Sequence, residues 1–253
     1  MLERKLVRVL SLSLDAITWE AAIARIAYWS ARRESRYVCI CNAHSCVTAG
    51  QDGEFAKVIE GADMATPDGA PTAWMLRKLG YTEQQRINGP DLMWKYCAHS
   101  VSTGEAMFLY GASPDTLQLL QVRLREEFPG INIAGAYSPP FRALDEAESE
   151  QVVAMINNSG ASIVWVSLGC PKQEKWMALQ RDRVRAVMIG VGAGFDYHAQ
   201  TIRRAPLWMQ HNGLEWLYRL GSEPRRLWRR YLVTNTLFIL GATKQLLFRN
   251  TSR

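Results

Sequence analysis

Val187-Met188-Ile189-Gly190-Val191-Gly192-Ala193-Gly194-Phe195-Asp196 is a short apolar run that passes directly into a turn with glycines two residues apart. An uninterrupted apolar run closed by a turn reads as a strand covered on both faces, the form strands take in a parallel sheet. The glycine spacing is not G-x-G-x-x-G. It predicts close approach of backbone to a ligand and no dinucleotide fingerprint. Comparable runs at 7–12, 37–41, 106–110, 131–136 and 163–167, with a shorter one at 64–66, alternate with longer amphipathic segments. That alternation predicts an α/β fold, a Rossmann-like and mostly parallel sheet flanked by helices. Thr18, Asp52, Pro90–Asp91, Pro114–Asp115 and Asp145 stand where helices should begin, supplying caps or a pre-set φ.

Polar, Gly- or Pro-containing turns follow the strands at 42–45, 67–69, 111–113, 137–140, 169–174 and 192–196. In a parallel sheet all six gather at the carboxyl edge, where ligands of open α/β folds bind. From residue 205 the pattern becomes helical, with Pro206 at a start, Glu215 and Arg219 as an i,i+4 pair and a break at 221–224. A last helix is expected from about 225 to 248. The chain is therefore expected to divide into a Rossmann-like segment, 1–204, and a helical basic appendage, 205–253.

Composition narrows the choices. With 48% hydrophobic and 21% charged residues, the chain is an ordinary globular protein and not a disordered one. Its net charge of +6 is uneven: residues 201–253 carry ten Lys or Arg against Glu215 and Glu223. The appendage thus expects an anionic partner, whether nucleic acid, phosphate or an acidic membrane surface. Cys39, Cys41 and Cys46 crowd one apolar stretch, which fits buried thiols in a reducing compartment better than zinc. The charged start, with Glu3, Arg4, Lys5 and Arg8, is no signal peptide. No stretch reaches the ~18 apolar residues of a membrane span, so the chain can lie on a membrane but is not expected to cross one.

Asp68, in Thr66-Pro67-Asp68-Gly69-Ala70-Pro71, is the sharpest candidate for chemistry. A rigid turn at a strand end holds a carboxylate where a general base is needed, although a cap for the following helix is the plainer alternative. Asp196 is placed to accept hydrogen bonds from a base or ribose, or to close its own turn. The loop 167–174 ends a strand and opens a helix, so its amides can face an anion. Arg86, Asn88, Asn42, His44 and Ser45 lie in polar turns, where cap and ligand roles both remain open. No Asp-x-Asp occurs, so a diphosphate would be met by arginines and helix termini. Arginine supply is concentrated at Arg219, Arg225, Arg226, Arg229 and Arg230. Helical spacing puts Arg226, Arg229 and Arg230 on one face and Leu227, Trp228, Tyr231 and Leu232 toward the other, as in an interfacial helix.

An ordered series of motifs resembles the WecG/TagA/CpsF glycosyltransferases (glycosyltransferase family 26) over nearly the whole chain. It runs through Asn42-Ala43-His44-Ser45, Pro67-Asp68-Gly69, Arg86-Ile87-Asn88-Gly89-Pro90-Asp91-Leu92 and Tyr110-Gly111. It continues through Leu168-Gly169-Cys170-Pro171-Lys172-Gln173-Glu174-Lys175-Trp176, the glycine-rich turn, Arg204-Ala205-Pro206, the stretch 213–220 and Glu223-Pro224. The resemblance implies an inverting, metal-independent transfer, needing no cofactor, of a hexose or N-acetylhexosamine-type sugar. The donor would be a UDP-sugar and the acceptor a polyprenyl-diphosphate-linked saccharide for a bacterial surface polysaccharide. It implies Asp68 as base and Asn42, Arg86, Gln173 and Tyr137 in the substrate pocket. UDP would lie against Gly111, Gly169, Gly190, Gly192 and Asp196. Arginines of the appendage, Arg219, Arg226 and Arg229 with Arg230 beside them, would meet the diphosphate and the membrane. The partners implied are the donor, the lipid-linked acceptor and the anionic cytoplasmic face of the inner membrane. Nucleic acid is not among them, and self-association is left open. Gly194 and Tyr197-His198 depart from the family pattern without touching the expected base. Two other classes compete: an NAD(P)-dependent Rossmann oxidoreductase, which the glycine spacing disfavours, and a nucleic-acid-binding module built on the basic tail.

Overall fold

The computed structural model describes residues 3–250. The outermost residues of the two expected segments, 1–2 and 251–253, lie outside the described residues. The chain opens with a hairpin, β1 (Leu6–Val9) and β2 (Leu12–Asp15), antiparallel and separate from the main sheet. The apolar run 7–12 is therefore not one strand. Leu10 adopts φ 53°, a left-handed turn conformation that neither Asn-Gly nor Asp-Gly announces, and the chain reverses there.

The remaining elements alternate as expected. They are α1 (Trp19–Ala31), β3 (Arg36–Cys41), α2 (Ala43–Gln51), α3 (Gly53–Glu60), β4 (Met64–Pro67), α4 (Ala70–Lys78) and α5 (Gly89–Thr103). Next come β5 (Ala106–Gly111), α6 (Pro114–Glu127), β6 (Asn132–Tyr137), α7 (Glu146–Asn158), β7 (Ile163–Ser167), α8 (Lys172–Leu179), β8 (Val187–Gly190) and α9 (Gly194–His198). The appendage supplies α10 (Leu207–His211), α11 (Glu215–Ser222) and α12 (Pro224–Asn250). Side chains cap the early helices: Thr18 accepts from the Ala21 amide, Asp52 from Phe55 and Asp145 from Glu148.

Six strands form one sheet in the order β4-β3-β8-β7-β5-β6, every neighbouring pair parallel. This is the Rossmann-like α/β architecture. Alternation along each strand feeds two cores. On β7, Val164 and Val166 enter the layer containing α2, α3, α7 and α8, while Ile163 and Trp165 enter the layer of α1, α5 and α6. Cys39 and Cys41 are fully buried on β3 as core thiols, and desolvation pushes both pKa values up.

The hairpin seals the β4 edge of the sheet through Asp15, 1% exposed, which accepts 2.9 Å bonds from both Arg4 Nε and Nη2 and one from the Ala65 amide. Arg25 adds a third cationic contact at 3.2 Å. Asp15→Ala would remove the carboxylate that Arg4 and Arg25 share and that accepts from the Ala65 amide. We expect a loss of about 3–5 kcal/mol, read as a lowered urea midpoint at unchanged m-value.

Helix α12 packs along α2 through Leu227, Thr234, Phe238 and Ala242, all buried. At its far end Gln245 accepts from the Leu10 amide and donates to the Arg8 carbonyl, pinning the hairpin turn. Among the described residues no helix is long and apolar enough to cross a membrane.

Candidate active site

Parallel register creates the centre of the site. Cys41 of β3 pairs with Pro67 of β4, so Asn42 and Asp68 each emerge one residue beyond their strands, side by side. The Asp68 amide donates to the Cys41 carbonyl at 2.8 Å. Gly69 follows at φ 85°, a conformation glycine adopts without strain, and serves as N-cap of α4 with no side-chain cap bond. Asp68 is therefore not spent on capping.

Its carboxyl is half-buried, and desolvation by the surrounding protein pushes its pKa up to about 6. Arg86 works against that shift, Glu215 reinforces it, and Arg204 with a hydrogen bond donated by Asn42 opposes it again. A carboxyl held near 6 can be ionised at neutral pH and still bind a proton readily. Asn42 also caps α2 through Oδ1, accepting from the His44 and Ser45 amides, so it is at once a cap and a neighbour of Asp68.

Arg86 reaches Glu215 of α11 at 3.0 Å, and Arg204 approaches the same carboxylate at 3.5 Å while also pairing with Asp91. Glu215 thus binds the appendage to the two arginines around Asp68. The i,i+4 pair expected with Arg219 does not form, because these cations compete for the carboxylate from the body of the protein. Asn88 resolves as the N-cap of α5.

Arg219 turns inward over the Tyr197 ring, 5.9 Å from its centroid, and its buried Nε has no hydrogen-bond partner in the described structure. Arg230 behaves alike: its Nε is buried and unpartnered, and desolvation lowers its pKa. Two partly buried guanidinium groups that form no ion pair among the described residues favour an incoming anion. Arg226 instead pairs with Glu223 at 2.8 Å and, like Arg229, is exposed. The proposed two faces of α12 are also redistributed. Leu227 is buried, whereas Trp228 and Leu232 point outward with Arg229, because the α2 contact selects a different stripe from the one charge alone predicts.

Gln173 and Glu174 form a buried clamp at the start of α8. Gln173 donates from Nε2 to Glu174 Oε1 at 2.9 Å and accepts the Gly192 amide at 3.1 Å. Burial raises the Glu174 pKa, and its Oε2 has no partner. A Cβ on Gly190 would stand 2.9 Å from Gln173 Nε2, so this glycine makes room for the clamp. Gly111 has a similar packing reason, since a Cβ would approach the Ser167 carbonyl oxygen to 2.3 Å. Gly169 and Gly192 take positive φ with open space beside them. Asp196 lies in α9 with Thr116 and Thr201 hydroxyls at 3.5 and 3.3 Å from Oδ1, long contacts that leave acceptor capacity free.

Tyr137 stands apart. It ends β6, the edge opposite β4, about 24 Å from the Asp68 strand at the usual strand spacing. There it stacks on Tyr110, centroids 6.2 Å apart. His198, one of the departures, stacks on Trp94 at 4.4 Å and meets the Pro90 carbonyl, so it serves packing. Sequence reading overlooked Glu215 as partner of Arg86, Arg204 as a neighbour of Asp68, and Glu174 as the holder of Gln173. The contact between Arg86 and Glu215 joins residues 129 positions apart, and no local pattern signals it.

An open parallel sheet whose carboxyl edge gathers a carboxyl of raised pKa, a glycine-rich turn and guanidinium groups has the arrangement of the Rossmann-like class, whose ligands bind at that edge. The particular family follows from the sequence comparison: residues 7–252 match the model of the glycosyl transferase WecG/TagA/CpsF family. The chain belongs to that family, and is a glycosyltransferase of cell-surface polysaccharide biosynthesis.

Proposed function

We propose that the chain transfers a hexose or N-acetylhexosamine-type sugar from a UDP-sugar to a polyprenyl-diphosphate-linked saccharide, with inversion and without a metal. The observation that carries this is the Asp68 carboxyl, raised to about 6, freed from capping and fixed beside Asn42 by β3–β4 register. Asp68 accepts the proton of the acceptor hydroxyl as that oxygen attacks the anomeric carbon. The bond to UDP breaks on the opposite face, and the configuration inverts. Charge growing on the departing diphosphate is met by Arg219 and Arg230, whose partly buried guanidinium groups are held in place for it. Asp196 and the glycine-rich turn hold the uridine, with Gly169 and Gly192 letting backbone approach it and Gly111 and Gly190 giving the packing room that fixes those loops.

In this reading, residues 205–253 act as a unit that completes the site and rests on the anionic cytoplasmic face of the membrane. Support comes from α12, where Trp228, Leu232, Ile239 and Leu240 are at least half exposed beside Arg225, Arg226 and Arg229.

The test is transfer by the purified full chain from a panel of UDP-sugars to a short-chain polyprenyl-diphosphate saccharide in excess EDTA. The new anomeric centre is then read by NMR. Inverted product is expected; retained configuration, or thermal stabilisation by NAD(P) but not UDP, would overturn the proposal. Trp228→Ser with Leu232→Ser and Ile239→Ser should cut cosedimentation with phosphatidylglycerol vesicles severalfold. Cleavage chemistry on a water-soluble acceptor should persist in that variant.

A further inference from the structure

A cleft of about 500 Å³ opens on the outer side of Arg204, lined by Tyr197, Gln200, Arg203, Arg204, Pro206 and Tyr218 among others. No carboxylate contributes to its wall. Arg204 is already engaged by Asp91 and Glu215. Arg203 is exposed and makes no ion pair or side-chain hydrogen bond among the described residues. The buried Tyr197 hydroxyl has no hydrogen-bond partner among the described residues, a polar group left unsatisfied beside the cleft.

The rim is unlike that of a pocket for a fully polar ligand. Leu207 and Trp208 follow Pro206 directly and are 69% and 61% exposed, and Leu217, beside Tyr218, is 45% exposed. Arginines lining the cleft, with exposed apolar side chains next in sequence to its Pro206 and Tyr218, fit an amphiphile whose anionic head enters and whose hydrocarbon stays outside. Arg204 then connects this cleft, through Glu215 and Arg86, to the surroundings of Asp68.

We propose that this cleft, which shares the Tyr197 ring with Arg219, holds the diphosphate of the lipid-linked acceptor, with Arg203 as its principal cation. The inference rests on the proposed transferase reading for the identity of the acceptor. It gives the acceptor diphosphate its own cation, Arg203, next to the Arg204–Glu215–Arg86 contacts that lead to Asp68.

Calorimetry on the full chain tests it with three probes: farnesyl diphosphate, inorganic pyrophosphate and phosphatidylglycerol vesicles free of diphosphate lipid. Arg203→Ala should weaken farnesyl diphosphate about tenfold or more, the effect of losing a charge-assisted contact. UDP affinity and vesicle binding should change less than about twofold, and Arg203→Lys should recover part of the loss. In turnover assays KM for the acceptor should rise while kcat and the donor KM hold, the signature of an interaction present before and during reaction. Equal losses for UDP and farnesyl diphosphate would make the cleft part of the donor site and overturn the proposal. So would unchanged farnesyl diphosphate affinity, pyrophosphate binding as tightly as the prenylated probe, or an equal loss on vesicles. Should wild-type protein transfer no UDP-sugar, the transferase reading fails, while Arg203-dependent binding of farnesyl diphosphate would still uphold the site.

Discussion

Asp68→Asn is expected to lower kcat by about 10²–10⁴-fold, the range for removing a general base, with UDP affinity preserved. Asparagine keeps the shape of the side chain and its contact with Asn42, so the fold around β4 survives. Only the proton acceptor is lost. The wild-type rate should also carry an acid limb near pH 6, because the carboxyl must be ionised to act and burial raises its pKa to about that value. Activity falls as pH drops through this limb, and the residual rate of the asparagine variant should show none of it. A second consequence concerns stability. A carboxyl whose folded pKa lies above its unfolded value binds protons more readily in the native state, so it costs stability as pH rises from about 4 to 6. Asp68→Asn should therefore melt at a higher temperature than wild type at pH 7, with the gain disappearing toward pH 4. Normal turnover in the variant, or lower stability at pH 7, would remove Asp68 from its role.

Arg230→Ala should reduce kcat on the order of 10²-fold or more if its guanidinium meets the leaving diphosphate. The comparison that matters is with Arg229→Ala. Family resemblance points to Arg229, but in the structure Arg229 is exposed, whereas the Nε of Arg230 is buried and unpartnered. Single-turnover rates with a water-soluble acceptor separate the two, since membrane binding plays no part there. Arg230→Ala should be slow at the chemical step and no less stable, because burial already disfavours that cation in the folded state. Arg229→Ala should match wild type in solution and lose affinity only for anionic vesicles. Equal defects in both variants would mean that α12 presents a different face when the donor is bound.

Much of this molecule is legible in its sequence. The apolar run at 187–191 and its fellows carry the period of a parallel sheet, and a parallel sheet sends every strand end to one edge. Asp68 stood out because Pro67, Gly69 and Pro71 leave its turn little freedom. What escaped notice has a common cause. The hairpin reverses at Leu10, a residue with no turn signature, and its position is held by Gln245 from the other end of the chain. Glu215 seemed to belong with Arg219, its neighbour one helical turn away, yet it pairs with Arg86 and Arg204.

Sequence by itself determined the layers, the strand ends and the carboxylate at position 68, because side-chain periodicity and turn chemistry act over a few residues. Only the tertiary structure decided which arginines face inward, which carboxylate holds the appendage, and that Tyr137 lies at the opposite edge from Asp68. Those outcomes depend on which stripe of α12 packs against α2 and on strand order. Both arise from competition among distant surfaces for burial and counter-charge, which no short stretch of chain records.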